Sequence, residues 1–225
     1  MNGSQIENET LQHFWDGIFK SLTPRLVTIK DLDLRSPLKE EIVKLAHTSS
    51  SILDIGCGEG SLLLYAGLNY SSFKGVGIDS SPSAITFANK MAELNHIGNI
   101  SFLKASLPYL QAIPTNSING IICSNFLDVI PQETSLSFIK EIKRILSRKG
   151  ELILKVNFFI TPEIAKKHHF VLDMDQKLYI DGVLRGCNFS SSYWIEAFKP
   201  LHLLRQEDYQ RLNDGPNDRL FIFVK

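Results

Sequence analysis

Between Ser51 and Val156, short and nearly continuous apolar runs alternate with stretches of helical periodicity, and this alternation constrains the fold more than any other feature. The strand-like runs are Ser51–Ile55, Gly75–Ile78, Ile100–Lys104, Ile121–Ser124 and Glu151–Val156. Between them lie a helix from Gly60 to Leu68 and one opened by Ser81-Pro82 and carried by Ile85, Ala88 and Met91 or Ala92. A third covers Thr134–Leu146, with Leu136, Ile139, Ile142 and Leu146 on its face. Strands that are apolar on both faces must be covered on both faces, and helical crossovers do this for a parallel sheet. The chain therefore reads as an α/β protein with a doubly wound, mostly parallel sheet.

The flanks differ. Leu11, Phe14, Trp15, Ile18, Phe19 and Leu22 repeat at the spacing of one helical face, predicting an amphipathic helix near residues 8–22 that Pro24 ends. A second helix is signalled by Ser36 as N-cap, Pro37 at the first helical position and Leu38, Ile42 and Leu45 inside, closing near His47. Residues 162–198 mix a short polar helix with a hairpin in which Phe170–Met174 and Leu178–Ile180 flank the turn, and they read as an insertion. Leu201–Leu204 and Leu220–Val224 add two strands joined without a crossover helix, an antiparallel arrangement that brings the sheet to seven. The expected organisation is a helical extension or lid over 1–35 and one domain over 36–225, with 162–198 placed to cover an acceptor pocket.

Lys plus Arg and Asp plus Glu are equal at 24 each, so no global field draws the chain to nucleic acid or an acidic membrane. Cys57, Cys123 and Cys187 are odd in number and far apart, which fits neither a secreted disulfide framework nor a Cys-rich zinc site. A cytoplasmic protein is expected, because Met1–Thr10 lacks the basic end and apolar run of a signal peptide and no stretch reaches membrane-spanning length. His168-His169 lacks the spacing of a helical metal pair, so no metal site is expected. The aromatic residues of the insertion, among them Phe170, Tyr179, Phe189, Tyr193 and Trp194, are assigned first to packing and second to an acceptor pocket.

The chemistry concentrates in Leu53-Asp54-Ile55-Gly56-Cys57-Gly58-Glu59-Gly60, where an apolar strand turns into a helix. Glycines there let the backbone approach a ligand and adopt positive φ, and the free N–H groups of the helix start face that ligand. Asp54 sits within the apolar strand, where an unpaired charge is costly, so it requires a partner such as a cationic ligand group or water. Asp79 ends the next strand, 21 residues past Gly58, where a carboxylate can accept bonds from both ribose hydroxyls of an adenosine ligand. A nicotinamide dinucleotide is the natural competitor, but its G-x-G-x-x-G spacing is absent: the third position is Ser61, and the glycines run G-x-G-x-G.

These residues resemble the class I S-adenosylmethionine-dependent methyltransferases. The glycine stretch is similar to that family's first motif, Val76-Gly77-Ile78-Asp79 to its second, and Arg144-Ile145-Leu146-Ser147-Arg148-Lys149-Gly150-Glu151-Leu152 to its basic, leucine-rich passage into strand five. The resemblance covers about residues 36–157. It implies S-adenosylmethionine as cofactor, with Asp54 and the backbone of Gly56, Cys57, Gly58 and Gly60 at the methionine part and Asp79 at the ribose. Ser80 then lies beside the adenine, Ala105 and Ser106 stand where the family usually places an acid near the adenine amino group, and Asn125 contacts the methionine part. Asp128 and Asn157 are placed to line the cleft, although Asp128 reads first as a solvated acid and Asn157 equally well as a turn residue. The acceptor is expected to be a small molecule, methylated by in-line transfer that needs positioning more than acid-base groups. No catalytic residue is assigned. Two rivals are carried forward: a non-catalytic S-adenosylmethionine- or S-adenosylhomocysteine-binding protein, and a nicotinamide-dependent oxidoreductase.

Overall fold

A computed structural model describes residues 3–32, 34–211 and 213–225. Its chain order is α1 (Gly3–Lys20), a 3-10 turn (Ile29–Leu32), α2 (Leu38–Thr48), β1 (Ser51–Ile55), α3 (Ser61–Asn69), β2 (Lys74–Asp79), α4 (Pro82–Leu94) and β3 (Ile100–Lys104). It continues through α5 (Leu107–Ala112), β4 (Ile118–Ser124), α6 (Gln132–Ile145), β5 (Leu146–Val156), α7 (Pro162–His168), β6 (Lys177–Ile180) and β7 (Val183–Cys187). The last elements are α8 (Ser191–Ala197), β8 (His202–Gln210) and β9 (Asn217–Val224).

Seven strands form one sheet in the order β3-β2-β1-β4-β5-β9-β8. Strands β1 to β5 are parallel, and β9 runs antiparallel to both β5 and β8. The order reverses between β1 and β4, the switch point at which open α/β sheets bind ligands beyond their strand ends. One core cluster centres on Ile55, Ile121, Leu154 and Phe221 under α6 and α8; the other, built on Leu45, Leu63, Ala88 and Ile153, lies on the opposite face under α2, α3 and α4. This double covering is what the two-sided apolar strands required.

Several boundaries move. Pro37, not Ser36, occupies the cap of α2, with helical φ and ψ and no side-chain capping bond, so the helix opens one residue later than the sequence suggested. Ser81 does cap α4, its Oγ accepting from the Ala84 N–H. In the insertion the two strands of the hairpin are β6 and β7 around Asp181-Gly182; Phe170–Met174 contributes only a bridge from Leu172 to Leu178. Positive φ at Asp181 and Gly182 makes them the better turn pair, a signal outweighed in the sequence by the apolar run at Phe170. The short helices α5 and α8 were not anticipated. None of the described helices is long and apolar enough to cross a membrane.

Candidate active site

The glycine turn has the geometry its composition demanded. Gly56, Gly58 and Gly60 all have positive φ, at 71°, 52° and 81°. A Cβ on Gly56 would lie 2.5 Å from the Phe126 ring, and one on Gly60 2.6 Å from the Phe102 ring. At Gly58 the nearest atom is different in kind: Phe19 Cζ of α1, 3.1 Å from an ideal Cβ, so the amino-terminal helix rests directly on the turn.

Asp79 holds this loop together before any ligand is considered. Its Oδ2 accepts from Gly58 N–H at 3.0 Å and its Oδ1 from Ser81 N–H at 2.9 Å, which ties the glycine turn to the start of α4. Burial nevertheless raises its carboxyl above the usual range. Asp54, 1% exposed, lies beneath the turn with Oδ2 buried and lacking a hydrogen-bond partner. Desolvation, with Asp79 nearby as a second negative charge, pushes it up to about 8.

A single cavity of about 1050 Å³ runs along this edge of the sheet. Of the residues singled out from the sequence, Gly56, Cys57, Gly58, Asp79, Ser80, Ala105, Ser106 and Asn125 line it together, whereas Asp54 and Gly60 lie behind its wall. Ser106, exposed at the start of α5, makes no side-chain capping bond there. Asn125 adopts φ 50°, a left-handed conformation that Asn tolerates better than most residues, and such strain concentrates at functional sites. Its Oδ1 accepts from Lys155 Nζ at 2.8 Å, and Lys155 in turn pairs with Asp218 at 2.5 Å, both nearly inaccessible.

Asp128 is not a solvated acid. It is 3% exposed, and its Oδ2 accepts from both the backbone and the side-chain N–H of Asn157, at 2.8 and 2.7 Å, while Oδ1 is buried without a partner. The reason is topological: parallel pairing of β4 with β5 carries the two strand ends into the same cavity wall, where both residues sit. Desolvation raises the Asp128 carboxyl. The far wall carries residues that the sequence reading missed as a group: Arg185 on β7, Arg211, and Arg219 on β9. Long chain separation hid them, and only the antiparallel β9 brings Arg219 beside Val156 at the end of β5.

The aromatic part of the cavity wall comes from Phe14, Trp15, Phe19, Phe126, Phe138 and Phe158. Phe189 stacks on Tyr193, both meet Trp194 edge to face, and the three pack against the core instead, as first assigned. His168 stacks on Phe170, and among the described residues no group of three His, Cys, Asp or Glu could hold a metal ion.

Residues 46–176 match the family profile described as "Methyltransferase domain". The chain belongs to this family, the class I S-adenosylmethionine-dependent methyltransferases. It is 31% identical over 81 residues to a release factor glutamine methyltransferase of Aliivibrio fischeri, covering 36% of this chain and 28% of that protein. It spans less than half the length of the curated relatives it matches. The fold is similar to that of the PH0226 protein of Pyrococcus horikoshii (TM-score 0.69, 17% identity, 83% of this chain and 87% of that one). It is also similar to a Burkholderia thailandensis 1,6-didemethyltoxoflavin-N1-methyltransferase solved with its acceptor and S-adenosylhomocysteine (TM-score 0.70, 11% identity, 100% and 91%).

Proposed function

We propose that this chain transfers the methyl group of S-adenosylmethionine to a small organic acceptor bound in the same cavity, with α1 and the 162–198 insertion as its cover over the domain formed by 36–225. The observation that carries this reading is the cavity itself. About 1050 Å³ exceeds what most single ligands fill, and it extends from the glycine turn and Asp79 to Asp128 and Asn157. Phe14, Trp15 and Phe19 of α1 and Leu178 and Ile180 of the hairpin border it, a covering suited to a small acceptor rather than a folded macromolecule.

The residues present fit the cofactor. A buried carboxylate oxygen without a partner, Asp54 Oδ2, suits a nearby ammonium, and the bare backbone of Gly56, Cys57 and Gly58, backed by Gly60, suits close approach by the methionine part. Asp79, which orders the turn, retains acceptor capacity for ribose hydroxyls; Ser80, Ala105 and Ser106 flank the adenine end, and Asn125, clamped by Lys155, faces the methionine end. Bound there, S-adenosylmethionine supplies an activated methyl group. The chain's contribution is to hold the acceptor in line with it and to exclude water, worth roughly 7–11 kcal/mol of the barrier in well-oriented systems. Asp128, with a free and buried Oδ1, is the group placed to orient an acceptor proton.

Calorimetric titration with S-adenosylhomocysteine and with nicotinamide dinucleotides tests the cofactor, since only the former should bind. Labelled methyl transfer onto panels of small molecules, proteins and RNA then tests the reaction. Tight cofactor-product binding with no turnover on any panel would favour the non-catalytic reading.

A further inference from the structure

Arg219 is a buried cation without a carboxylate partner. It is 3% exposed, and its Nε and Nη1 donate only to backbone and hydroxyl oxygens: Asn157 O at 3.0 Å, Phe189 O at 2.8 Å and Ser191 Oγ at 3.5 Å. A guanidinium held this far from solvent ordinarily faces an anion, and it borders the cavity. Burial lowers its proton affinity, against the pull of Asp128, Asp208 and Asp218.

Lys155, Arg211 and Arg219 stand among three carboxylates, Asp128, Asp208 and Asp218, and Asp218 is already shared between Lys155 and Arg211. Arg185 adds a further positive charge to the same cavity, stacked 3.4 Å from the Phe14 ring centroid rather than paired with an acid. Asn157 links the ends of this network, donating to Asp128 and accepting from Arg219.

Lys155 reaches Asn125 at the cofactor end, but position separates Arg219 from the groups assigned to the adenosine. Across the sheet order, Arg219 on β9 lies two strands beyond β4 and four beyond Asp79 on β2. At about 4.8 Å per strand these steps are about 10 and 19 Å. The adenosine and methionine groups are assigned to β1 to β4, so Arg219 stands toward the acceptor end of the cavity.

From this we infer that the acceptor is an organic oxyanion, an apolar or aromatic body carrying a carboxylate or phosphate that Arg219 binds, with Arg185 and Arg211 supporting the field. The inference rests on the proposed cofactor assignment, and its test separates the two.

The full chain saturated with S-adenosylhomocysteine is titrated, by calorimetry or ligand-observed NMR, with four ring fragments matched in size: 4-hydroxybenzoate, phenyl phosphate, 4-hydroxybenzamide and tyramine. One or both anions should bind about 10-fold or more tightly than the neutral amide, with tyramine weakest, and the better anion identifies carboxylate or phosphate. Arg219→Lys should lose part of that preference and Arg219→Gln all of it, while both keep wild-type affinity for S-adenosylhomocysteine. Arg185→Gln, at a half-buried site, provides a second variant that should reduce the preference if Arg219→Gln fails to fold. Amide or tyramine binding as tightly as the anions, or no fragment binding at all, overturns the inference. So does an Arg219→Gln variant whose loss falls on the cofactor product, since the arginine would then serve the methionine carboxylate. Failure of S-adenosylhomocysteine itself to bind overturns the cofactor reading instead.

Discussion

Cofactor binding should expel a proton, and Asp54 is its source. In the protein without ligand, burial and the neighbouring Asp79 raise its carboxyl from 3.8 to about 8. At pH 7 about 0.9 of the molecules then carry the proton, and ionising the group there costs about 1.4 kcal/mol. A folded pKa above the unfolded one means that the native state binds the extra proton between pH 4 and 8, so stability falls as pH rises through that window and levels off above it. An ammonium held over the glycine turn offsets the repulsion and returns Asp54 to its charged form. Titration with S-adenosylhomocysteine at pH 7, in buffers of different ionisation enthalpy, should therefore show release of up to about 0.9 proton more in wild type than in Asp54→Asn. The same substitution should weaken binding about 10- to 100-fold, in line with loss of a charge-assisted interaction. It should raise the melting temperature at pH 8.5 but change it little at pH 5, where the wild-type group is already neutral. Equal proton release in the two proteins would refute the reasoning, because the buried carboxyl would then not be coupled to the ligand.

Gly60→Ala should destabilise the fold by about 2–5 kcal/mol, the sum of a left-handed backbone and a Cβ 2.6 Å from Phe102, read as a lower urea midpoint; an unchanged midpoint would contradict the packing described. Removing residues 1–22 should leave a folded domain with weakened S-adenosylhomocysteine affinity, and in the full chain the cofactor product should slow hydrogen exchange in α1. A truncated protein that unfolds, or that keeps full affinity, would rule out a lid. Methyl transfer should survive excess chelator, and loss of activity restored by magnesium or zinc would reveal a metal role not apparent among the described residues.

The sheet was legible because its signals are local. Two-sided apolar strands, glycines at a strand-to-helix turn and an acid at the next strand's end are each determined within a few residues, and β1 and β3 begin and end where periodicity put them. The glycine-turn edge of the cavity follows from the same local rules, and eight of the ten residues named for the cofactor share one cavity wall. The side of the cavity with Asp128, Asn157 and Arg219 was not legible, since it is assembled by pairing. Nothing near Asp128 in the chain foretells Asn157 as its partner, and nothing near Arg219 foretells the end of β5. Sequence spacing likewise favoured Phe170–Met174 as a strand, because hydrophobicity outweighs turn geometry in a pattern read without contacts.

The amino-terminal helix shows how a local pattern can be right about form and silent about purpose. Its apolar stripe predicts a helix with one sheltered face, yet of the stripe from Leu11 to Leu22 only Leu11 is buried, while Ile18 remains 40% exposed and borders the cavity. Polar bonds also hold the helix. Gln12 donates to Ser80 O at 3.0 Å, and Asp16 accepts from Ser81 Oγ and Ser83 N–H at 2.7 and 3.0 Å. These bonds hold Asp16 ionised well below the usual carboxylate range. They attach α1 to the loop that follows Asp79, the same loop that Asp79 ties to the glycine turn. A ligand that displaced Asp79 would therefore disturb the anchor of α1 as well, and Phe19, resting on Gly58, ties the same helix to the turn.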